Sequence, residues 1–121
     1  MSIPKDIGAD GIIVSNHGGR QLDSAPSSIE VLPEIVKTVG SDLTVMLDSG
    51  IRCGSDIVKT FASGASFTFS GRSFMFGIGA LGKEGAEHVL NLMMTEVDKI
   101  LAQIGCKNIT ELDDNYIWQS K

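Results

Sequence analysis

Residues 11–23 read Gly11-Ile12-Ile13-Val14-Ser15-Asn16-His17-Gly18-Gly19-Arg20-Gln21-Leu22-Asp23 and change character halfway. The first part, Gly11 to Ser15, is a short apolar run bounded by polar residues, which predicts a buried strand. A histidine, two glycines and an arginine then follow within six positions. Such a cluster at a strand end belongs to a loop that carries chemistry, because parallel α/β folds place their reactive residues after the C-terminal ends of strands.

The same arrangement recurs twice. Thr44-Val45-Met46-Leu47 is a second apolar run, followed by the loop Asp48-Ser49-Gly50-Ile51-Arg52-Cys53-Gly54. Ser66-Phe67-Thr68-Phe69-Ser70 is a third, and a loop is expected from Gly71-Arg72-Ser73 through Leu81. Helical patterns separate the runs. The first helix is expected over Ser28–Val39, with Ser27 and Glu30 at capping-box spacing and Gly40 as its stop. Pro33 inside it predicts a kink or a later start. The second is expected over Ser55–Ser63, with Ser55 as N-cap and Gly64 just past its end. A long third helix is expected over Lys83–Ile104, where Val89, Leu92, Met93, Val97, Ile100, Leu101 and Ile104 recur at helical spacing before Gly105. A last short helix is expected over Thr110–Tyr116, capped by Thr110. Strands alternating with helices predict an α/β fold with a parallel sheet. Apolar runs without alternation suit strands buried on both faces.

The bulk properties narrow the function. At 121 residues, one domain spanning 1–121 is expected. A net charge of −5 leaves no basic stripe to neutralise phosphates, which argues against a non-specific nucleic-acid binder. No apolar run reaches the length of a membrane span, and no basic start with an apolar middle marks a secretory signal. Cys53 and Cys106 form no CxxC pair and suit a reducing compartment, so a cytoplasmic location is expected. No cluster of His, Cys, Asp and Glu has metal-ligand spacing.

Each loop has a chemical reading. A histidine side chain can take a proton in a transition state, so His17 suits a general base. Arg20, three residues on, offers a planar fork that matches a carboxylate in two-point contact. The pair therefore suits a small acid as substrate, although His-x-x-Arg on its own more often marks a structural histidine beside a surface arginine. Arg52 lies between Gly50 and Gly54 where a helix begins, and the free N–H groups of a helix start attract anions. Gly71-Arg72 follows the next strand, so the two loops predict a phosphate cup. Glycines serving tight turns, with arginines paired to nearby acids, remain the alternative. Asp48 suits sugar or polyol hydroxyls, or a capped loop. His88 reads as a solvated or packed side chain of the long helix, and the Met93-Met94 pair as core. Gly77-Ile78-Gly79-Ala80-Leu81-Gly82 matches GxGxxG but lies well past a strand end, where that motif has no pyrophosphate to hold.

Taken together, Gly8 to Asp23, Leu47 to Asp56 and Ser70-Gly71-Arg72 resemble the C-terminal part of the FMN-dependent α-hydroxy-acid oxidases and dehydrogenases, the family of glycolate oxidase, L-lactate dehydrogenase and mandelate dehydrogenase. The resemblance runs from about Gly8 to Ile117. It implies an eight-stranded (β/α)8 TIM barrel, of which this chain would hold the last three βα units, strands six to eight, and a C-terminal helix. It implies FMN as cofactor and oxidation of a small 2-hydroxy acid of lactate, glycolate or mandelate type to the 2-oxo acid. His17 would be the base acting on the substrate's α-carbon or hydroxyl, and Arg20 would hold its carboxylate. Asp48, Gly50 and Arg52 would contact the ribityl chain and phosphate of FMN, with Gly71 and Arg72 completing the phosphate contacts. The chain departs from the family where Ser49 stands in a usual Asp-Gly-Gly, Cys53 in a frequent Arg-Arg-Gly, and Ser73 in a usual Gly-Arg-Pro.

The resemblance also implies that the early strands are absent, and with them the lysine at the flavin ring, the tyrosines near the substrate and the aspartate that orients the histidine. Met1-Ser2-Ile3-Pro4 reads as a new start. Three parallel strands cannot close a barrel, so the sheet is expected to keep an open edge and an uncovered face. Self-association into a homo-oligomer would cover that face, and the chain alone is expected to be inactive. The alternatives are a non-catalytic FMN- or phosphate-binding half-barrel and a self-associating assembly module.

Overall fold

The computed structural model describes residues 6–118. The start at Met1-Ser2-Ile3-Pro4 lies outside them. Strands β1 (Gly11–Val14), β2 (Thr44–Leu47) and β3 (Phe67–Thr68) form one parallel sheet in the order β1-β2-β3. Helices α1 (Ser28–Val39), α2 (Gly54–Ala62), α3 (Arg72–Leu81) and α4 (Gly85–Ile104) follow in turn. The α/β parallel class expected from the sequence is therefore present.

The register decides which residues meet. Gly11 pairs with Thr44, Ile12 with Val45, Ile13 with Met46 and Val14 with Leu47, and Leu47 in turn pairs with Thr68. Because side chains alternate along a strand, Ile12, Val14, Val45 and Leu47 share one face. There they pack with Leu32, Val39, Leu43, Ile51 and Ala65 to make the first core, beneath α1. Ile13, Met46 and Phe67 share the opposite face, where Ile13 is 49% and Phe67 54% exposed. The expectation of strands buried on both faces is corrected here: one face is covered and the other is open. Phe67 and Phe69 stack edge to face on the open side, with ring centroids 5.1 Å apart.

Helix α1 starts where the capping box places it. Glu30 Oε2 accepts from the Ser27 N–H at 2.9 Å and from its hydroxyl at 2.7 Å. The helix does not start later at Pro33 but runs through it. Leu32, fully buried beside the proline, supplies packing that offsets the lost backbone bond. Gly40 ends the helix in a right-handed conformation, not the left-handed one expected, and the chain turns through Asp42 and Leu43 N–H bonds to Val39.

Helix α2 begins one residue early, with Cys53 rather than Ser55 as N-cap, because Asp56 turns back to accept from the Arg52 and Cys53 N–H groups at 2.9 and 3.2 Å. Its end at Gly64 is left-handed as expected. A second core joins α2, α4 and the chain end through Val58, Ala62, Val97, Leu101, Cys106 and Leu112. Strand β3 is shorter than Ser66–Ser70, since only Phe67 and Thr68 pair. The expected loop over Gly71–Leu81 is largely helix α3, and α4 starts at Gly85 after a single tight turn. Instead of one helix over Thr110–Tyr116, two short turns form, capped by the side chains of Asn108 and Asp113.

The GxGxxG-like segment has a packing role. A β-carbon on Gly85 would collide with the Gly77 backbone, and one on Gly77 with Val89 and with the Gly85 carbonyl. The two glycines let α3 and α4 cross at close range. Gly85→Ala should therefore lower stability by about 1–3 kcal/mol, read as a fall in thermal midpoint. A second expectation concerns acid. The Ser27 hydroxyl and N–H hold the Glu30 carboxyl below its ordinary 4.5. A carboxyl lowered on folding stabilises fully above its unfolded pKa, and that contribution is lost as pH falls through the folded value. Glu30→Gln should flatten this part of the acid unfolding curve, measured by circular dichroism.

Candidate functional site

The parallel register brings the C-terminal ends of all three strands to one edge of the sheet, and the loops that follow them enclose a cleft of about 470 Å³. His17, Gly18, Arg20, Asp48, Ser49, Gly50, Arg52, Gly71 and Arg72 line it. All seven residues singled out in the sequence, His17, Arg20, Asp48, Gly50, Arg52, Gly71 and Arg72, are thus brought together. Ile51, Phe69 and Met75 line it as well, outside the residues the sequence motifs single out for this site.

The loop after β1 is a tight turn over His17–Gly19. His17 itself has φ of 53° and Gly18 and Gly19 are also left-handed, so three successive residues occupy a region that only glycine enters freely. This turn exposes the imidazole at the strand end. The His17 N–H donates to Ser15 Oγ at 3.1 Å. Gly18 is held on both sides by the neighbouring loops. Its N–H donates to Ser49 Oγ at 3.0 Å, and its carbonyl accepts from an Arg72 guanidinium nitrogen at 2.7 Å. A β-carbon on Gly18 would press on that guanidinium at 2.8 Å, so the glycine makes the approach possible.

Around the anion end, the structure revises one expectation. Most N–H groups around the start of α2 are engaged: Asp56 accepts from those of Arg52 and Cys53, Glu96 Oε2 from Gly54 at 2.6 Å, and the Cys53 carbonyl from Asp56. The open helix start belongs to α3. Among the described residues, the N–H groups of Arg72, Ser73 and Phe74 have no acceptor, as the first turn of a helix requires unless a cap or ligand supplies one. The sequence reading missed this element; the spacing of Phe74, Ile78 and Leu81 behind Gly71 was the available signal. β-Carbons on Gly50 and Gly71 would meet nothing within 4 Å, so the backbone there is open to a ligand.

The charges agree with this geometry. Arg20, Arg52 and Arg72 face a cleft that holds a single carboxylate, Asp48, in a chain of net charge −5. Guanidinium groups and a free helix start suit a phosphate. Asp48, half-buried, suits hydroxyl donors, and the exposed His17 and Arg20 suit a small acid in the same cleft. The residues present therefore fit a phosphorylated polyol beside a carboxylate.

Residues 3–119 match the model of a family described as FMN-dependent dehydrogenase. The chain is 49% identical over 111 residues to a 2-hydroxyacid oxidase of Dictyostelium discoideum, covering 92% of this chain and 29% of that one. It is 50% identical over 110 residues to (S)-mandelate dehydrogenase of Pseudomonas putida, covering 91% and 28%. A crystal structure of a soluble mutant of that membrane-associated dehydrogenase superposes with a TM-score of 0.91 at 47% identity, over 96% of this chain and 33% of that one. A mandelate oxidase crystal structure with benzoyl-formic acid superposes with a TM-score of 0.84 at 44% identity, over 88% and 32%. The chain thus spans less than a third of the length of these two curated relatives. By the extent of the match and by the fold, it belongs to the FMN-dependent dehydrogenase family.

Proposed function

We propose that this chain supplies the FMN-phosphate and substrate-carboxylate contacts for oxidation of a small 2-hydroxy acid to its 2-oxo acid. The carrying observation is the convergence of His17, Arg20, Asp48, Arg52 and Arg72 on one cleft at the strand ends. Residues 1–121 are then one segment of a (β/α)8 barrel, its last three βα units, with β1 to β3 as strands six to eight. The frequent phosphate site of that fold, after strands seven and eight, coincides with the loops of Asp48–Gly54 and Gly71–Arg72.

In this reading Arg52 and Arg72 bind the phosphate together with the open N–H groups of α3, with Gly50 and Gly71 admitting it to the backbone. Asp48 accepts from the ribityl hydroxyls. Arg20 pairs with the substrate carboxylate and orients the α-carbon. His17 takes a proton from the α-carbon or its hydroxyl. FMN, when bound, supplies the acceptor for the two electrons that leave the hydroxy acid. The open face of Ile13, Met46 and Phe67 would be the barrel interior, so turnover of lactate, glycolate or mandelate requires further βα units against it. The two free thiols, Cys53 and Cys106, suit a reducing cytoplasm. Among the described residues no helix is long and apolar enough to cross a membrane.

A second reading, a self-associating module with an inherited site, rests on that same open face, where Ile13, Phe67 and Phe69 are all more than a third exposed. A homo-oligomer would bury it.

Two measurements decide between them. Titration of the purified protein with FMN, followed by flavin fluorescence, should show saturable binding that Arg72→Ala weakens by about tenfold, the loss of roughly one charge-assisted hydrogen bond. No uptake of FMN would overturn the first reading. Sedimentation should show a species larger than the monomer that Phe67→Glu returns to monomer; a monomer in the unaltered protein would overturn the second.

A further inference from the structure

Ser49 is the residue of its loop, other than glycine, whose backbone is left-handed. It has φ of 73° in a half-buried position. For a residue other than glycine that conformation brings the β-carbon against the following carbonyl oxygen, and it persists where the surroundings hold it. What holds it is its own hydroxyl. Ser49 Oγ accepts from the Gly18 N–H at 3.0 Å and donates to Asp48 Oδ1 at 2.7 Å. The proton directions are fixed by chemistry: an amide N–H only donates and an ionised carboxylate only accepts. The hydroxyl is therefore a relay between two loops 31 residues apart in sequence.

The two ends of the relay matter. Gly18 is bonded to His17, so whatever fixes the Gly18 amide fixes the peptide that carries the imidazole. Asp48 lines the cleft, and with Oδ1 engaged by Ser49, Oδ2 is left to accept from other donors. Arg72 closes the opposite side of Gly18 through its carbonyl. We infer that Ser49 is a positioning residue, whose hydroxyl sets the His17 loop against Asp48 and orients that carboxylate toward the polyol of a bound flavin. This deepens the FMN reading above and rests on it.

The experiment compares Ser49→Ala, Ser49→Gly and Ser49→Asn in the full chain. Alanine removes the hydroxyl and keeps the strained backbone. Glycine removes both hydroxyl and strain. Asparagine tolerates the left-handed region and restores a donor and an acceptor. Two properties are read: hydrogen exchange of the Gly18 amide without ligand, and affinities for FMN and for inorganic phosphate.

The alanine and glycine variants should each speed Gly18 exchange by about tenfold, weaken FMN by roughly fivefold and leave phosphate affinity unchanged. Asparagine should recover most of both losses. Because alanine and glycine differ in backbone strain, a loss common to them belongs to the hydroxyl. Unchanged Gly18 exchange in Ser49→Ala overturns the relay. Equal weakening of FMN and phosphate overturns positioning, since general loosening of the cleft produces that result. If the unaltered protein takes up neither ligand, the flavin reading fails, and Gly18 exchange alone then decides whether the relay exists.

Discussion

The parallel pairing of Val14 with Leu47, and of Leu47 with Thr68, is the constraint on which the rest depends. Parallel strands in register end together. Here that places three loops at one edge of the sheet, each leading into a helix that runs back along it. A shift of one residue in either pairing would turn Val14 or Leu47 out of the first core and swing the following loop to the other face. Burial of Leu32, Val45 and Leu47 beneath α1 makes such a shift costly. The packing that stabilises the sheet is thus also what aligns His17 with Asp48 and Arg72.

Much of this was legible in the sequence, and the reasons are local. Apolar runs bounded by glycine and polar residues marked the three strands, and the Ser27–Glu30 spacing marked the start of α1 to the residue. The site residues were legible because chemistry-bearing side chains gathered after each run. What was not legible depended on contacts between distant segments. Nothing near Gly54 announces that Glu96, 42 residues away, takes its N–H. Asp56 was visible as an acid in a first turn, but its choice of the Arg52 and Cys53 amides moved the cap from Ser55 to Cys53. The glycines of residues 77–85 made α3 look like a loop. Their purpose is the close crossing of α3 and α4, which only the tertiary structure reveals.

That missed helix changes where the anion chemistry resides. Two candidate helix starts border the cleft. At the start of α2, Glu96 takes the Gly54 N–H and Asp56 takes those of Arg52 and Cys53 just before it, which places two carboxylates there. A phosphate would be repelled by them and would find few donors. The start of α3 keeps its N–H groups open and carries Arg72 as its first helical residue. The glycines and arginines singled out in the sequence line one cleft, and the more open helix start beside them is that of α3.

Strain gathers where the chemistry does. His17 and Ser49 are the two residues other than glycine with positive φ among those described, and both line the same cleft. Each is held by hydrogen bonds that cross between loops or fold back along one, from the His17 N–H to Ser15 and from Ser49 to Gly18 and Asp48. A relaxed loop would let the imidazole sample many positions. Holding the turn in a conformation the backbone does not favour removes that freedom before a ligand arrives. The energy that holds it comes from the sheet register and the first core, which is why the site can be ordered in so small a chain even though its open face still lacks a cover.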